Sequence, residues 1–137
     1  MLDPRPFKSQ DSLLRMHDWF TDPMPDDLSS APALSDYTIA IDQMGLLRLV
    51  GQVSGHLRLG ERWITTSPIW QIDPQGTRAR TSSRWYRLSA GFRESMEAKA
   101  DPKAAAMAEQ FLSPADAIVH LGYIRSIVER ELGKHAH

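Results

Sequence analysis

Five side chains of one stretch, TRARTSSRWYRL (77–88), carry the densest chemistry of the chain: Arg78, Arg80, Arg84, Tyr86 and Arg87. Guanidinium groups bind carboxylate and phosphate through paired hydrogen bonds and stack on aromatic rings, so this composition suits an anionic surface. Read as one strand, alternate residues share a face. Arg78, Arg80, Ser82, Arg84 and Tyr86 then point one way, and Thr81, Ser83, Trp85 and Arg87 the other. A face with three arginines and a tyrosine is not core, so Trp85 is expected on the buried side. Arg80, Arg84 and Arg87 would be anionic anchors, Arg78 their neighbour, and Tyr86 a stacking or apolar contact. His56, near a strand end beside Arg58, is expected to border the same face. Three occupants fit such a face: an acidic protein surface, a single-stranded nucleic acid held at its phosphates with a base on Tyr86, or the chain's own aspartates.

Other chemistry has less support. The 137 residues include no cysteine, which removes disulfides, thiolate metal sites and cysteine nucleophiles. The histidines (His17, His56, His120, His135 and His137) show no metal-ligand spacing, and His17 reads as a packed residue beside an apolar helix face. No GxSxG elbow, Walker A loop or GxGxxG turn is present, and Ser54-Gly55-His56 is a turn with a histidine. Neither a cofactor nor a metal is expected. A small enzyme would have to use His56 with a neighbouring carboxylate or serine.

The net charge of -1 hides an uneven distribution. Residues 1–44 hold eight Asp against three basic residues, whereas residues 45–90 hold seven Arg, no Lys and two acids. Three of the four Trp (Trp63, Trp70 and Trp85) fall in that basic block. The acidic segment can neutralise the basic one, or the basic face can stay open for a partner. The near-neutral total favours a protein partner, because dedicated nucleic-acid domains are usually more basic. No apolar run approaches the ~18 residues of a membrane span, and MLDPRPFKSQD has no signal-like apolar core, so a cytoplasmic setting without a membrane is expected.

The elements that must hold these residues follow from periodicity. DSLLRMHDWF (11–20) places Leu13, Met16 and Phe20 on one helical face, with Asp11 or Ser12 as cap. Residues 21–36 are rich in Pro, Asp and Ser and read as a linker or ordered loop. Strands are expected at 37–42, 46–55, 62–73 and 77–88, with Pro68 marking an edge or a bulge. Asp73-Pro74-Gln75-Gly76 suits a type I turn, which would pair Trp70 with Ala79, Thr66 with Ser83 and Ile64 with Trp85. Helices are expected at 93–100, at 103–112 after Asp101-Pro102, and from Ser113-Pro114 to about Leu132, where Gly133 ends the last one. Ala117, Leu121, Ile124, Val128 and Leu132 form its core stripe. Val119, Tyr123 and Ile127 form a second apolar stripe, fit for further packing or a homodimer seam.

Thr-Ser-x-x-Trp occurs twice, at Thr66, Ser67, Trp70 and at Thr81, Ser82, Trp85. In a hairpin the copies run antiparallel and do not superimpose, so they read as β-rich strand sequence rather than a doubled site.

GQVSGHLRLGERWITTSPIWQIDPQGTRARTSSRWYRL (51–88) resembles a family of small uncharacterised bacterial proteins with the pattern GxVxGHxxL, then IxTS, then ARTxSRWYRL. Gly51, Val53, Gly55, His56 and Leu59 fit the first part, Ile64, Thr66 and Ser67 the second, and Ala79 to Thr81 with Ser83 to Leu88 the third. Leu57 stands where the family pattern has proline. The resemblance implies no established activity. Its usual setting implies an accessory role, such as a mobile-element protein acting on a host complex. The expected architecture is a single α+β domain: a small twisted antiparallel meander flanked by an N-terminal helix and C-terminal helices. A non-enzymatic binding module is the favoured function.

Overall fold

The computed structural model describes residues 2–54, 62–89, 91 and 111–135. His56 and the expected helices at 93–100 and 103–110 lie outside them. The class is α+β. A 3-10 turn at Arg5–Phe7 leads into helix α1 (Gln10–Thr21). Six strands follow: β1 (Ala33–Ile41), β2 (Leu47–Ser54), β3 (Arg62–Thr65), β4 (Ile69–Ile72), β5 (Arg78–Thr81) and β6 (Trp85–Leu88). Helix α2 (Pro114–His135) closes the described chain.

Ser9 caps α1, its hydroxyl accepting from the Ser12 N–H at 3.4 Å, two or three residues before the expected cap. Ser113 caps α2 in the same way, accepting from Asp116 N–H at 3.1 Å. Leu13, Met16 and Phe20 of α1 and Ala117, Leu121, Ile124 and Val128 of α2 are buried in one core with Phe7 and the apolar strand residues. Each large side chain removed from water there contributes ~1.5–3 kcal/mol. Gly133 does not end α2, which continues to His135. Phe111 and Leu112, expected at a helix end, are not helical, and Leu112 bridges to Ile39. On the second stripe of α2, Val119 is 74% and Tyr123 58% exposed, while the half-buried Ile127 packs against the core.

The sheet order is β3-β2-β1-β6-β5-β4. It is two three-stranded antiparallel meanders joined by a parallel pairing of β1 with β6, where Ala33 faces Arg87 and Leu34 faces Leu88. This corrects the four-stranded expectation. Ser67-Pro68 splits the run 62–73, and Ser82-Ser83 splits 77–88, because Pro68 cannot donate to a ladder and Thr81 turns the chain. The Thr81 hydroxyl accepts from the N–H groups of Ser83 and Arg84, both at 3.2 Å, and donates to Arg84 C=O at 3.1 Å. β1 starts earlier than expected, at Ala33, and a left-handed residue, Asp36 (φ 51), accompanies its register shift.

The two edge strands, β3 and β4, are separated in sequence only by Thr66, Ser67 and Pro68. A flat six-stranded sheet would hold its edges ~24 Å apart, whereas three linking residues span at most ~14 Å. The open sheet therefore curls strongly. Thr66 N–H still bonds Leu49 C=O of β2 at 2.9 Å, and Pro68 C=O already accepts from Ser82 N–H at 2.9 Å.

Each meander begins with the same turn. Asp42-Gln43-Met44-Gly45 joins β1 to β2 and Asp73-Pro74-Gln75-Gly76 joins β4 to β5, each closed by a glycine N–H on the aspartate C=O (3.1 and 3.0 Å). Both glycines have positive φ, 86° at Gly45 and 68° at Gly76. The expected turn at 73–76 forms, but Ile69 faces Thr81, Gln71 faces Arg80 and Ile72 faces Ala79, with an irregularity at Trp70. The register is thus one to two residues from that expected. Ile64 faces Gly51 rather than Trp85.

Candidate anion-binding cleft

The hairpin at Ser82-Ser83 resets the phase of the arginine-rich stretch. Arg80 faces Trp85, Ala79 faces Tyr86, and Arg78 faces Arg87 across β5 and β6. Antiparallel partners share a face, so Trp85 joins Arg78, Arg80 and Arg87. Tyr86 joins Ala79 and is only 4% exposed. The expected roles of Trp85 and Tyr86 are exchanged, because the continuous-strand count runs straight through a turn.

Most of these arginines are engaged within the chain. Arg80 Nε donates to Asp22 Oδ2 at 2.7 Å, and Trp85 Nε1 donates to the same oxygen at 3.1 Å. Gln71 Nε2 donates to the C=O groups of Trp19 and Asp22, each at 2.8 Å, which ties the end of α1 to this face. Trp70 stacks on Trp19 at 5.3 Å and meets Phe20 edge-on at 5.2 Å. Arg87 Nε donates to Ala31 C=O at 2.9 Å. Arg78 Nε lies 3.8 Å from Asp73 Oδ2, and Arg48 Nε donates to Asp42 Oδ2 at 2.8 Å. Asp22 and Ala31, both within the segment 21–36 expected as linker or loop, thus meet the arginine face.

Arg62 and Arg84 differ in charge pairing. Among the described residues neither has a carboxylate within ion-pair distance. The buried Nε of Arg84 has no hydrogen-bond partner, as is also true of Arg78, which has Asp73 beside it. Arg62 and Arg84 both line a cleft of about 470 Å³. All four residues of β3 form one side of it, with Trp63 55% exposed, and Ser83, Arg84 and Tyr86 form the other. Thr66 and Ser67 line it too, and none of the described lining residues is acidic. Ser67 and Ser83 hydroxyls lie 2.9 Å apart, and Ser83 N–H donates to Ser67 Oγ at 3.2 Å, which ties the two sides together. Burial pushes the Tyr86 phenol above its ordinary pKa, against the opposing charge of Arg84. Tyr86 therefore stays a neutral hydroxyl in the physiological range.

The arrangement can bind an anion and flank it with an indole and hydroxyls. Among the described residues no histidine or carboxylate lines it. Among the described residues no three of His, Asp or Glu stand together as metal ligands. Of the residues expected at the partner face, Arg84 and Tyr86 reach the cleft, whereas Arg78, Arg80 and Arg87 lie on the face lined by Asp22 and Ala31. Strand counting misses Arg62, Trp63, Thr66, Ser67 and Ser83. Of these, Thr66, Ser67 and Ser83 are positions of the quoted motif, and Arg62 and Trp63 are not.

The doubled Thr-Ser-x-x-Trp resolves into unlike parts. Trp70 of the first copy donates to Ser82 Oγ of the second at 2.8 Å. Thr66 Oγ1 accepts from Leu49 N–H at 3.1 Å and Thr81 builds the hairpin, so the repeat stitches the curled sheet.

Fold and cleft define an α+β protein with a curled, mostly antiparallel sheet and an arginine-bearing cleft at one edge. The chain belongs to a family of unknown function (DUF6634), whose model matches residues 10–123. No curated protein and no solved structure matches it.

Proposed function

We propose that this chain is a non-enzymatic binding module that receives an acidic segment of a protein partner in the cleft between β3 and the β5–β6 turn. The observation that carries this reading is the sorting of the arginines. Those on the outer face have a carboxylate or a backbone carbonyl beside them, and among the described residues Arg62 and Arg84 line a cleft without acids. A guanidinium with a buried, unsatisfied N–H gains a charge-assisted hydrogen bond when a carboxylate arrives. The accessory role and cytoplasmic setting belong to the same reading, the latter in keeping with a chain without cysteine. A second reading, single-stranded nucleic acid, draws support from the exposed Trp63 beside two arginines, a stacking platform with phosphate anchors.

Fluorescence anisotropy separates the two. A labelled peptide alternating Glu and Val is expected to bind more weakly as salt rises, and Arg84→Ala to weaken it about tenfold, ~1.4 kcal/mol. Binding of labelled oligothymidylate, with none of the peptide, would transfer the cleft to nucleic acid.

A further inference from the structure

Resting on that reading of the cleft, we infer that the acidic segment binds as an added β-strand along the open edge of β3, with its carboxylates on Arg62 and Arg84. Among the described residues β3 is an edge strand, paired only with β2. The ladder fixes which of its backbone groups are free. Thr66 N–H bonds Leu49 C=O, and the register sets Ile64 opposite Gly51 and Arg62 opposite Val53. Hydrogen-bonded positions alternate in an antiparallel ladder, so Arg62, Ile64 and Thr66 turn their N–H and C=O toward β2. Trp63 and Thr65 turn theirs outward, about 6.8 Å apart, the spacing at which an extended peptide presents its own. Among the described residues no other backbone group takes them.

The opposite edge is different. β4 follows Pro68, and Gln71 ties it to α1. Edge strands are ordinarily blunted by proline, bulges or a covering element, and among the described residues β3 carries only the charge of Arg62. The cleft runs along all of β3, and Arg84 stands on its far side. A strand laid there meets a guanidinium on each side and the indole of Trp63. A phosphodiester chain satisfies the arginines but has no alternating donor and acceptor for Trp63 and Thr65.

The test is amide hydrogen exchange on the full chain with and without the Glu–Val peptide, joined to binding by two variants. Thr65→Pro removes an outward N–H at an edge position where proline is tolerated, without touching either arginine. Thr65→Ala keeps that N–H. Protection of the Trp63 and Thr65 amides by at least about tenfold, with binding about tenfold weaker in Thr65→Pro than in Thr65→Ala, is the expected result. If Thr65→Pro does not fold, the exchange measurement decides alone. Salt-sensitive, Arg84-dependent binding with unchanged exchange at both amides would overturn strand addition and leave the cleft reading standing. No peptide binding at low salt would overturn both.

Discussion

Asp22 and Arg84 occupy opposite situations, and the contrast is measurable. Asp22 Oδ2 accepts from both Arg80 and Trp85. Asp22→Ala leaves two half-buried donors without that acceptor, and a loss of ~1–3 kcal/mol is expected from urea denaturation. The Arg84 guanidinium has no partner to lose among the described residues, so Arg84→Ala is expected to stay within ~0.5 kcal/mol of wild type while weakening the anion site. A large loss of stability in Arg84→Ala would assign it a structural role instead. The sequence supplies the residue types but not this division. Asp22 is one of eight aspartates before residue 45, and nothing local marks it as the partner of a side chain 58 positions away. The cleft lining is legible only in part, for the same reason. Thr66 and Ser67 meet Ser83 and Arg84 through the curl of the sheet, a long-range consequence of the short link between β3 and β4.

At the scale of elements, local chemistry reads well and long-range pairing does not. The helix starts at Ser9 and Ser113 and the turn at Asp73 rest on capping and turn preferences a few residues long. The parallel β1–β6 pairing joins Ala33 to Arg87, and no local signal reports it. The Ser82-Ser83 hairpin escapes notice because it lacks the Asn-Gly or Asp-Gly signal of a two-residue loop, and the Thr81 side chain does that work. The turn at Gly76 carries its own prediction. Gly76 has φ 68°, and a Cβ there would lie 2.3 Å from the Tyr37 hydroxyl, which donates to Gly76 C=O at 3.0 Å. Gly76→Ala thus meets backbone strain and a buried neighbour together, with a loss of ~1–3 kcal/mol expected in thermal or urea unfolding. Gly133→Ala is the control: it lies in α2 with nothing within 4 Å of a new Cβ, and about 1 kcal/mol of stabilisation is expected from helix propensity.

For the whole molecule, the paired turns make stability depend on acid in a defined direction. Asp42 and Asp73 each gather one edge of a meander. Asp42 accepts from Met44 and Leu46 N–H at 2.8 and 3.0 Å and from Arg48. Asp73 accepts from Thr77 and Arg78 N–H at 2.7 and 3.0 Å and from the Thr77 hydroxyl. Burial raises both carboxyls, but for Asp42 the Arg48 guanidinium and two backbone N–H groups outweigh it, and for Asp73 the Thr77 hydroxyl, two backbone N–H groups and the Arg78 charge do so. Both therefore sit below the ordinary carboxylate value of 3.8. The unfolded chain takes up these protons first as pH falls. The stabilisation is complete above the unfolded value and disappears as pH falls through the lower folded values. The urea midpoint is expected to stay level, as far as these groups set it, from pH 7 to about 5 and to drop below about 4. Asp42→Asn with Asp73→Asn should lower the midpoint at neutral pH and flatten the acid slope. An acid slope unchanged by the double substitution would mean that other carboxylates, not the two matched turns, hold the curled sheet together at low pH.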